Sequence, residues 1–340
     1  MRKLASIQKI EKLSPIPNAD MIEVASVLGW NLVVKKGEFN VGDICVYFEV
    51  DSYLDVNDSR YEFLKNSSFR NNEFMGPGLR IKTITLRGCL SQGLALPVSI
   101  FPEIVNPQIG DDVTEILKVR KWEMPEMLGS SGNAIGDKPY GIPTTDETRC
   151  QSMDVLRQEL LGKPYYISTK IDGTSCTIYY LHNKVGVCGR NNEYKNDDKS
   201  PMWKYFNENN IPQKLIDYRR NLIIQGEFAG PGIQKNRLKL KGPGFYVFNI
   251  MTDDMKLLPL DDMIQICNDL GLTHVPIEER GDNFNYTLEE LLEKARGKYS
   301  SGLDKEGIVI RPITPFWSYN LSKPLSFKVL NNDFLKKEKD

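Results

Sequence analysis

Thr169-Lys170-Ile171-Asp172-Gly173-Thr174-Ser175 is the stretch that decides how this chain is read. An extended run, Tyr165-Tyr166-Ile167-Ser168, precedes it, and a second, Cys176-Thr177-Ile178-Tyr179-Tyr180, follows. Two β-rich runs separated by Asp-Gly predict two strands joined by a tight turn. Side chains alternate along a strand, so Lys170 and Asp172 fall on one side if pairing extends that far. That puts an amine beside a carboxylate at the mouth of a sheet, with Gly173 letting a phosphate approach the backbone. By itself the heptapeptide also fits an exposed turn with a solvated lysine.

An amine of ordinary pKa near 10.4 is neutral in only roughly four molecules in ten thousand at pH 7. A nucleophilic lysine needs that value lowered by about 3 units, or roughly 4 kcal/mol, through desolvation or a nearby cation. A divalent metal held near Asp172 supplies such a cation and screens a triphosphate as well.

The remaining composition narrows the class. With 340 residues, net charge −1 and 40% hydrophobic content, the chain is long enough for two domains and a substantial core. No apolar run approaches membrane-spanning length, and Met1-Arg2-Lys3-Leu4 leads into no signal-peptide core, so an intracellular protein without a membrane anchor is expected. The six cysteines are scattered without a C-x-x-C pair, and His182 and His274 are the only histidines. A disulfide framework or zinc site is therefore not expected. Near-neutral charge argues against a wholly cationic coat for nucleic acid and leaves room for local basic patches.

From Arg2 to about Lys121 the chain reads as all-β. Leu4 to Ile10, Met21 to Leu28, Asn31 to Lys35, Asp43 to Val50, Arg80 to Leu86 and Gly93 to Leu96 are short segments between turn signals. They predict a small closed barrel of the OB type over residues 1–122, since closure removes exposed strand edges. Arg2, Lys3, Lys9, Lys12, Arg80, Lys82 and Arg87 lie among Tyr47, Phe48 and Phe69. Such a mixture suits phosphate contact and base stacking, or else aromatics filling the barrel and charges solvating it. Gly, Pro and Ser density marks residues 123–142 as a linker.

Residues 143–340 read as α+β. A helix is predicted over Ser152 to Leu161, and a strand near Val185-Gly186-Val187-Cys188 ends in Arg190. Short helices follow at Pro201 to Phe206 and Pro212 to Tyr218, then Leu222-Ile223-Ile224-Gln225-Gly226-Glu227-Phe228 as a buried-type strand ending in a carboxylate. A basic loop with Lys235, Arg237 and Lys239 precedes the strand Phe245 to Ile250. Two amphipathic helices come next, one stopped by Gly271 and one opened by a Thr287/Glu290 capping box. The last strands contain Gly307 to Arg311, behind Asp304-Lys305-Glu306, and Leu325 to Leu330, which carries Lys328. The charged tail from Lys336 to Asp340 reads as disordered. Lys170, Asp172, Arg190, Glu227, Glu306 and Lys328 thus all stand at strand ends. Singly each fits a solvated surface group; as an ordered set they fit a phosphate-and-metal site.

In this order the motifs resemble those of the covalent nucleotidyltransferases, the group of ATP-dependent RNA and DNA ligases and mRNA capping enzymes. Nearly the whole chain is similar to the family 5 RNA ligases of the Deinococcus and Naegleria type, which pair an N-terminal OB domain with a C-terminal nucleotidyltransferase domain. Lys170-Ile171-Asp172-Gly173 resembles the family's nucleophile motif, and Cys188-Gly189-Arg190-Asn191 the one whose arginine contacts the nucleotide. Gln225-Gly226-Glu227 resembles the motif whose Glu serves the ribose and the metal's water shell. Phe245-Tyr246-Val247-Phe248 resembles the segment whose aromatic stacks on adenine, with Phe248 as that aromatic. Asp304-Lys305-Glu306-Gly307-Ile308-Val309 and Leu325-Ser326-Phe327-Lys328 resemble the metal-ordering Glu motif and the α-phosphate lysine motif.

The resemblance implies lysyl-AMP formation on Lys170 from ATP, transfer of AMP to an RNA 5′-phosphate, and attack by a 3′-hydroxyl that seals the strand. It implies Lys170 and Lys328 as catalytic residues, and Arg149, Arg190, Glu227, Phe248 and Lys328 at the nucleotide. Asp172, Glu227 and Glu306 hold Mg²⁺ or Mn²⁺, largely through water, while Lys235, Arg237 and Lys239 meet nucleic acid. The implied substrate is RNA in a nicked duplex on a DNA or RNA template, handled by a monomer. Two departures stand out: Ser326 replaces a lysine that many relatives carry, with Lys323 nearby, and Asn249 replaces a common acid. DNA ligases and capping enzymes follow the last motif with another OB domain, for which no residues remain before Asp340. A DNA ligase, a capping-type guanylyltransferase and a non-catalytic nucleic-acid-binding protein with a degenerate ligase shell are the alternatives.

Overall fold

The computed structural model describes residues 2–123 and 133–337. The chain divides into two compact units, Met1–Pro125 and Glu126–Glu338. In the first, Ile44–Phe48 is a central strand between Ala5–Lys9 and Leu94–Pro97, antiparallel to both. Its side chains alternate between two cores: Cys45 and Tyr47 pack with Trp30 and Leu32, whereas Val46 and Phe48 pack with Leu4, Tyr61 and Phe101. A strand covered on both faces needs an unbroken apolar run, which Ile44-Cys45-Val46-Tyr47-Phe48 supplies.

Tyr47 and Phe48 are accordingly interior residues with no exposed surface, while Phe69 remains exposed. Filling, not base stacking, is therefore what Tyr47 and Phe48 do. The expected strand from Arg80 to Leu86 is in fact the end of one, Gly76–Arg80, and all of another, Thr83–Leu86, in different sheets. Several strands here, such as Lys12–Pro15 and Phe69–Asn72, are short and polar and carry little hydrophobic pattern.

Two sheets make up the second unit. One has seven strands: Ala134–Asp137, Asn192–Tyr194, Lys184–Cys188, Thr174–Leu181, Leu222–Ala229, Gly244–Met251 and Thr273–His274, in spatial order. The other has five: Thr148–Arg149, Phe327–Leu330, Gly307–Pro312, Tyr165–Lys170 and Ile277–Gly281. Helices Pro201–Glu208, Ile211–Tyr218 and Leu260–Leu270 cover one face of the first sheet through Trp203, Phe206, Leu215 and Met263. Val155–Leu160 and Leu288–Ala295 cover the second through Leu156, Leu160 and Leu291. The capping box expected at Thr287 and Glu290 is present, and Gly271 ends its helix at φ +67. The uncovered faces meet across a cleft walled by Gln225 and Phe248 on one side and Tyr166 and Arg311 on the other.

Three expectations are corrected here. Tyr165–Lys170 and Thr174–Leu181 do not form a hairpin. The former pairs with Gly307–Pro312 and Ile277–Gly281, the latter with Leu222–Ala229 and Lys184–Cys188. Ile171-Asp172-Gly173 is thus the crossing from one sheet to the other. A Cβ on Gly173 would lie 2.5 Å from the Phe228 carbonyl oxygen, so that glycine permits the close passage of two backbones. Secondly, Ala134–Asp137, inside the expected linker 123–142, is an edge strand on Asn192–Tyr194 whose four residues are all exposed. With nothing to bury, it leaves no hydrophobic pattern; residues 124–132 of that segment lie outside the described residues. Finally, Lys336 and Lys337 of the expected disordered tail belong to a helix, Asn332–Lys337, anchored by buried Phe334; residues 338–340 lie outside the described residues. Among the described residues no helix is long and apolar enough to cross a membrane.

Candidate active site

Lys170 is the last residue of its strand, and its register partner on the neighbouring strand is Gly307. Glu306 therefore arrives beside it, and Lys170 Nζ donates a hydrogen bond to Glu306 Oε2 at 2.6 Å. Gly307 has φ +151, and a Cβ there would sit 2.2 Å from the Val329 carbonyl oxygen, so a side chain at this junction is excluded. The Tyr299 hydroxyl ties the two strand ends together, donating to the Lys170 carbonyl at 2.7 Å and accepting from the Glu306 N–H at 3.0 Å. Tyr299 has no sequence signal: it lies in a loop, outside every motif.

The crossing supplies the rest. Asp172 lies within it, and Glu227 pairs in register with Ser175 just beyond it. Lys328 is in register with Val309, which is in register with Ser168, so alternation puts Lys328 on the same face as Lys170. Arg149 in turn pairs with Lys328. Burial pulls the Lys170 pKa down, but Glu306, Glu227 and Asp172 outweigh it and leave the amine above its ordinary value. Burial, reinforced by Glu306 and Asp172, pushes the Glu227 carboxyl up to about 8 although Lys170 opposes it. For Lys328, burial and then Lys170 and Arg149 bring the amine down to about 7.

The lysine expected to be depressed is thus held charged by its own acids, and a neutral amine must come from whatever engages those acids. Among the described residues, no three His, Cys, Asp or Glu side chains are grouped tightly enough to hold an ion directly. Three carboxylates about one ammonium, one of them pushed up to about 8 by burial and then by its acidic neighbours, suit a hydrated dication bound through its water instead.

The other expected residues divide. Arg190 pairs with Asp146 near the cleft. Phe248 lines the cleft, with the Arg311 guanidinium carbon 5.6 Å from its ring centroid. Lys235 and Lys239 are exposed on the basic loop. Arg237 is not: it is turned inward, 3.2 Å from Asp172 and 4.4 Å over the Phe334 ring. Buried and committed to an acid of the site, Arg237 cannot reach a nucleic acid backbone. Composition marked the loop as basic, but only packing shows which of its cations turns inward. Lys323 lines the cleft and donates to the Asp146 carbonyl, and Asn249 lies near Gln225.

An amine at a sheet-to-sheet crossing, ringed by carboxylates, belongs to the class of covalent nucleotidyltransferases. Comparison with known proteins gives the particular family. Residues 4–98 match an OB-fold domain family, and residues 163–330 match the RNA ligase family. Naegleria gruberi RNA ligase with pyrophosphate shares 38% identity, with all of both chains covered and a TM-score of 0.90. Two of its mutants, one with AMP and Mn and one with ATP and Mn, each share 37% identity over all of both chains at a TM-score of 0.91. Protein 205R of Invertebrate iridescent virus 6, named as a DNA ligase, is 23% identical over 177 residues, which are 52% of this chain. The chain spans 26% of the length of that curated relative. This chain belongs to the RNA ligase family, and it resembles the Naegleria enzyme from end to end.

Proposed function

We propose that this protein is an ATP-dependent RNA ligase that seals nicks in duplexes. The observation that carries the reading is the Lys170–Glu306 contact of 2.6 Å, with Asp172, Glu227 and Lys328 around it. Lys170 Nζ attacks the α-phosphorus of ATP, forming a P–N bond as the bond to pyrophosphate breaks. Lys170 must first give up a proton, for which Glu306 Oε2 at 2.6 Å is the adjacent acceptor, and Asp172, Glu227 and Glu306 would hold through water a dication whose charge would favour this loss and offset the α-phosphate. Lys328 faces the same phosphate; an anion there raises its pKa from about 7, so the amine is charged when the nucleotide is seated. Arg149 and Arg190 serve the nucleotide, and Phe248 walls its base.

The AMP then passes from Lys170 to a 5′-phosphate of RNA, and a 3′-hydroxyl displaces it as the phosphodiester forms. Residues 1–122 grip the duplex and residues 143–340 carry the chemistry, with Lys235 and Lys239 reaching phosphates. The protein acts as a monomer inside the cell. The Naegleria ligase structures with pyrophosphate, with AMP and Mn, and with ATP and Mn support this choice of nucleotide and metal.

Sealing assays on nicks that differ only at the 3′-terminal sugar test this reading. A ribose end should be joined at least about tenfold faster than a deoxyribose end, and ATP, not GTP, should label the protein. Equal use of both sugars would point to a DNA ligase, and labelling by GTP alone to a capping-type guanylyltransferase.

A further inference from the structure

Tyr166 and Arg311, which line the cleft, are register partners four residues, or about 13 Å, along the same strands from Lys170 and Gly307. This is comparable with the span from a phosphate on Lys170 to the far edge of its base. There Arg311 donates to Glu147 Oε1 at 2.6 Å, with the two side chains 7% and 12% exposed. Burial opposes both charges, but Arg311 holds the Glu147 carboxyl below its ordinary range and Glu147 holds the guanidinium charged. The pair is ionic, so the carboxylate only accepts hydrogen bonds and the guanidinium only donates them.

Each partner keeps one atom over, and the Tyr166 hydroxyl, close enough to Arg311 to help hold it charged, satisfies neither. Glu147 Oε2 and Arg311 Nη1 are buried without a hydrogen-bond partner. Ser326 Oγ, though close enough to help lower the Glu147 pKa, has none in bonding geometry either. Orphaned buried polar atoms are costly, and two of opposite sense on one ion pair form a built recognition edge. Both residues line the cleft, which has apolar walls from Phe248, Met251, Leu258 and Pro312. Slots of this kind take planar rings.

One acceptor beside one donor complements the edge of adenine, whose 6-amino group donates next to a ring nitrogen that accepts. Guanine in the same pose would set its O6 against the Glu147 carboxylate. We propose that Glu147 and Arg311 select the nucleotide base, Glu147 Oε2 accepting from the adenine 6-amino group and Arg311 Nη1 donating to the adjacent ring nitrogen. The proposal rests on the ligase reading and adds to it the residues that choose ATP.

The test measures kcat/KM for labelling of Lys170 by ATP and by purine riboside triphosphate, which lacks the 6-amino group. The wild type should favour ATP by about 10- to 100-fold, the cost of leaving a buried acceptor unpaired. In the double variant Glu147→Leu/Arg311→Met the buried ion pair is replaced by apolar groups of similar volume, a change that folds tolerate. Its preference for ATP should fall to within about threefold, with an unchanged melting temperature showing that the fold survives. A second measurement needs neither substitution: a crystal structure of Lys170→Ala with ATP should place the 6-amino nitrogen in hydrogen-bond contact with Glu147. Equal use of both nucleotides by the wild type, a preference that persists in the double variant, or a 6-amino group seated elsewhere overturns the proposal. Absence of label from every nucleotide overturns the ligase reading itself, and this proposal with it.

Discussion

A Lys170→Ala protein takes no AMP from ATP, yet still seals a nick whose 5′-phosphate already carries AMP. The first step needs an amine to form the P–N bond, and no neighbour can substitute for it. Lys328 comes from a different strand, where it faces the same side of the sheet as Lys170. Strand closure, by contrast, forms a bond between the 3′-hydroxyl and the 5′-phosphate, with AMP leaving, and Lys170 is neither nucleophile nor leaving group there. Labelling should drop below detection, while closure of the pre-adenylylated nick persists within about tenfold of the wild type. Gel assays with labelled ATP and with an adenylylated strand separate the two steps. Equal collapse of both would show that Lys170 maintains the site's shape and does not provide its nucleophile.

Glu227→Gln should give a protein that is less active and more stable. Burial and the neighbouring acids raise the Glu227 carboxyl from 4.5 to about 8, so the folded state binds a proton that the unfolded chain has released. The stability tied to that proton is lost as pH rises through this window, at up to about 1.4 kcal/mol per pH unit. A neutral amide at 227 does not titrate, so the metal-free variant should melt higher than the wild type, with the gap widest at pH 8 and above. Transfer to Lys170 should fall by at least about 100-fold, because a carboxylate is lost where the dication's water and the ribose bind. Melting curves at pH 5 and pH 8.5 decide the stability claim. A variant that melts lower than the wild type at both would mean that Glu227 stabilises the protein.

The order of the site was legible in the chain because each functional side chain lies in or beside a short β-rich run with its own local signal, although only Lys170 proves to end a strand, with Glu227 and Lys328 inside theirs and Asp172 in the crossing. Lys170, Asp172, Glu227, Glu306 and Lys328 could be picked out before any pairing was known. Which strands paired could not. Asp172-Gly173 carries a strong local hairpin signal, yet the strands on either side enter different sheets, since pairing is settled by partners more than 40 residues away. The same separation between local sign and distant packing explains Arg237. Its loop is basic by composition, but one guanidinium turns in to meet Asp172 and the Phe334 ring. Tyr299 and the Glu147–Arg311 pair carry no motif at all, and only tertiary packing brings the loop residues Tyr299 and Glu147 against the strand residues Lys170 and Arg311.

Peptide mapping by mass spectrometry after incubation with ATP and a divalent metal bears most directly on the nucleophile. The wild-type peptide containing Lys170 should gain the mass of one AMP, in a linkage stable to alkali and lost in acid, as a P–N bond requires. AMP on another residue, or pyrophosphate release with no modified peptide, would contradict a covalent intermediate on Lys170.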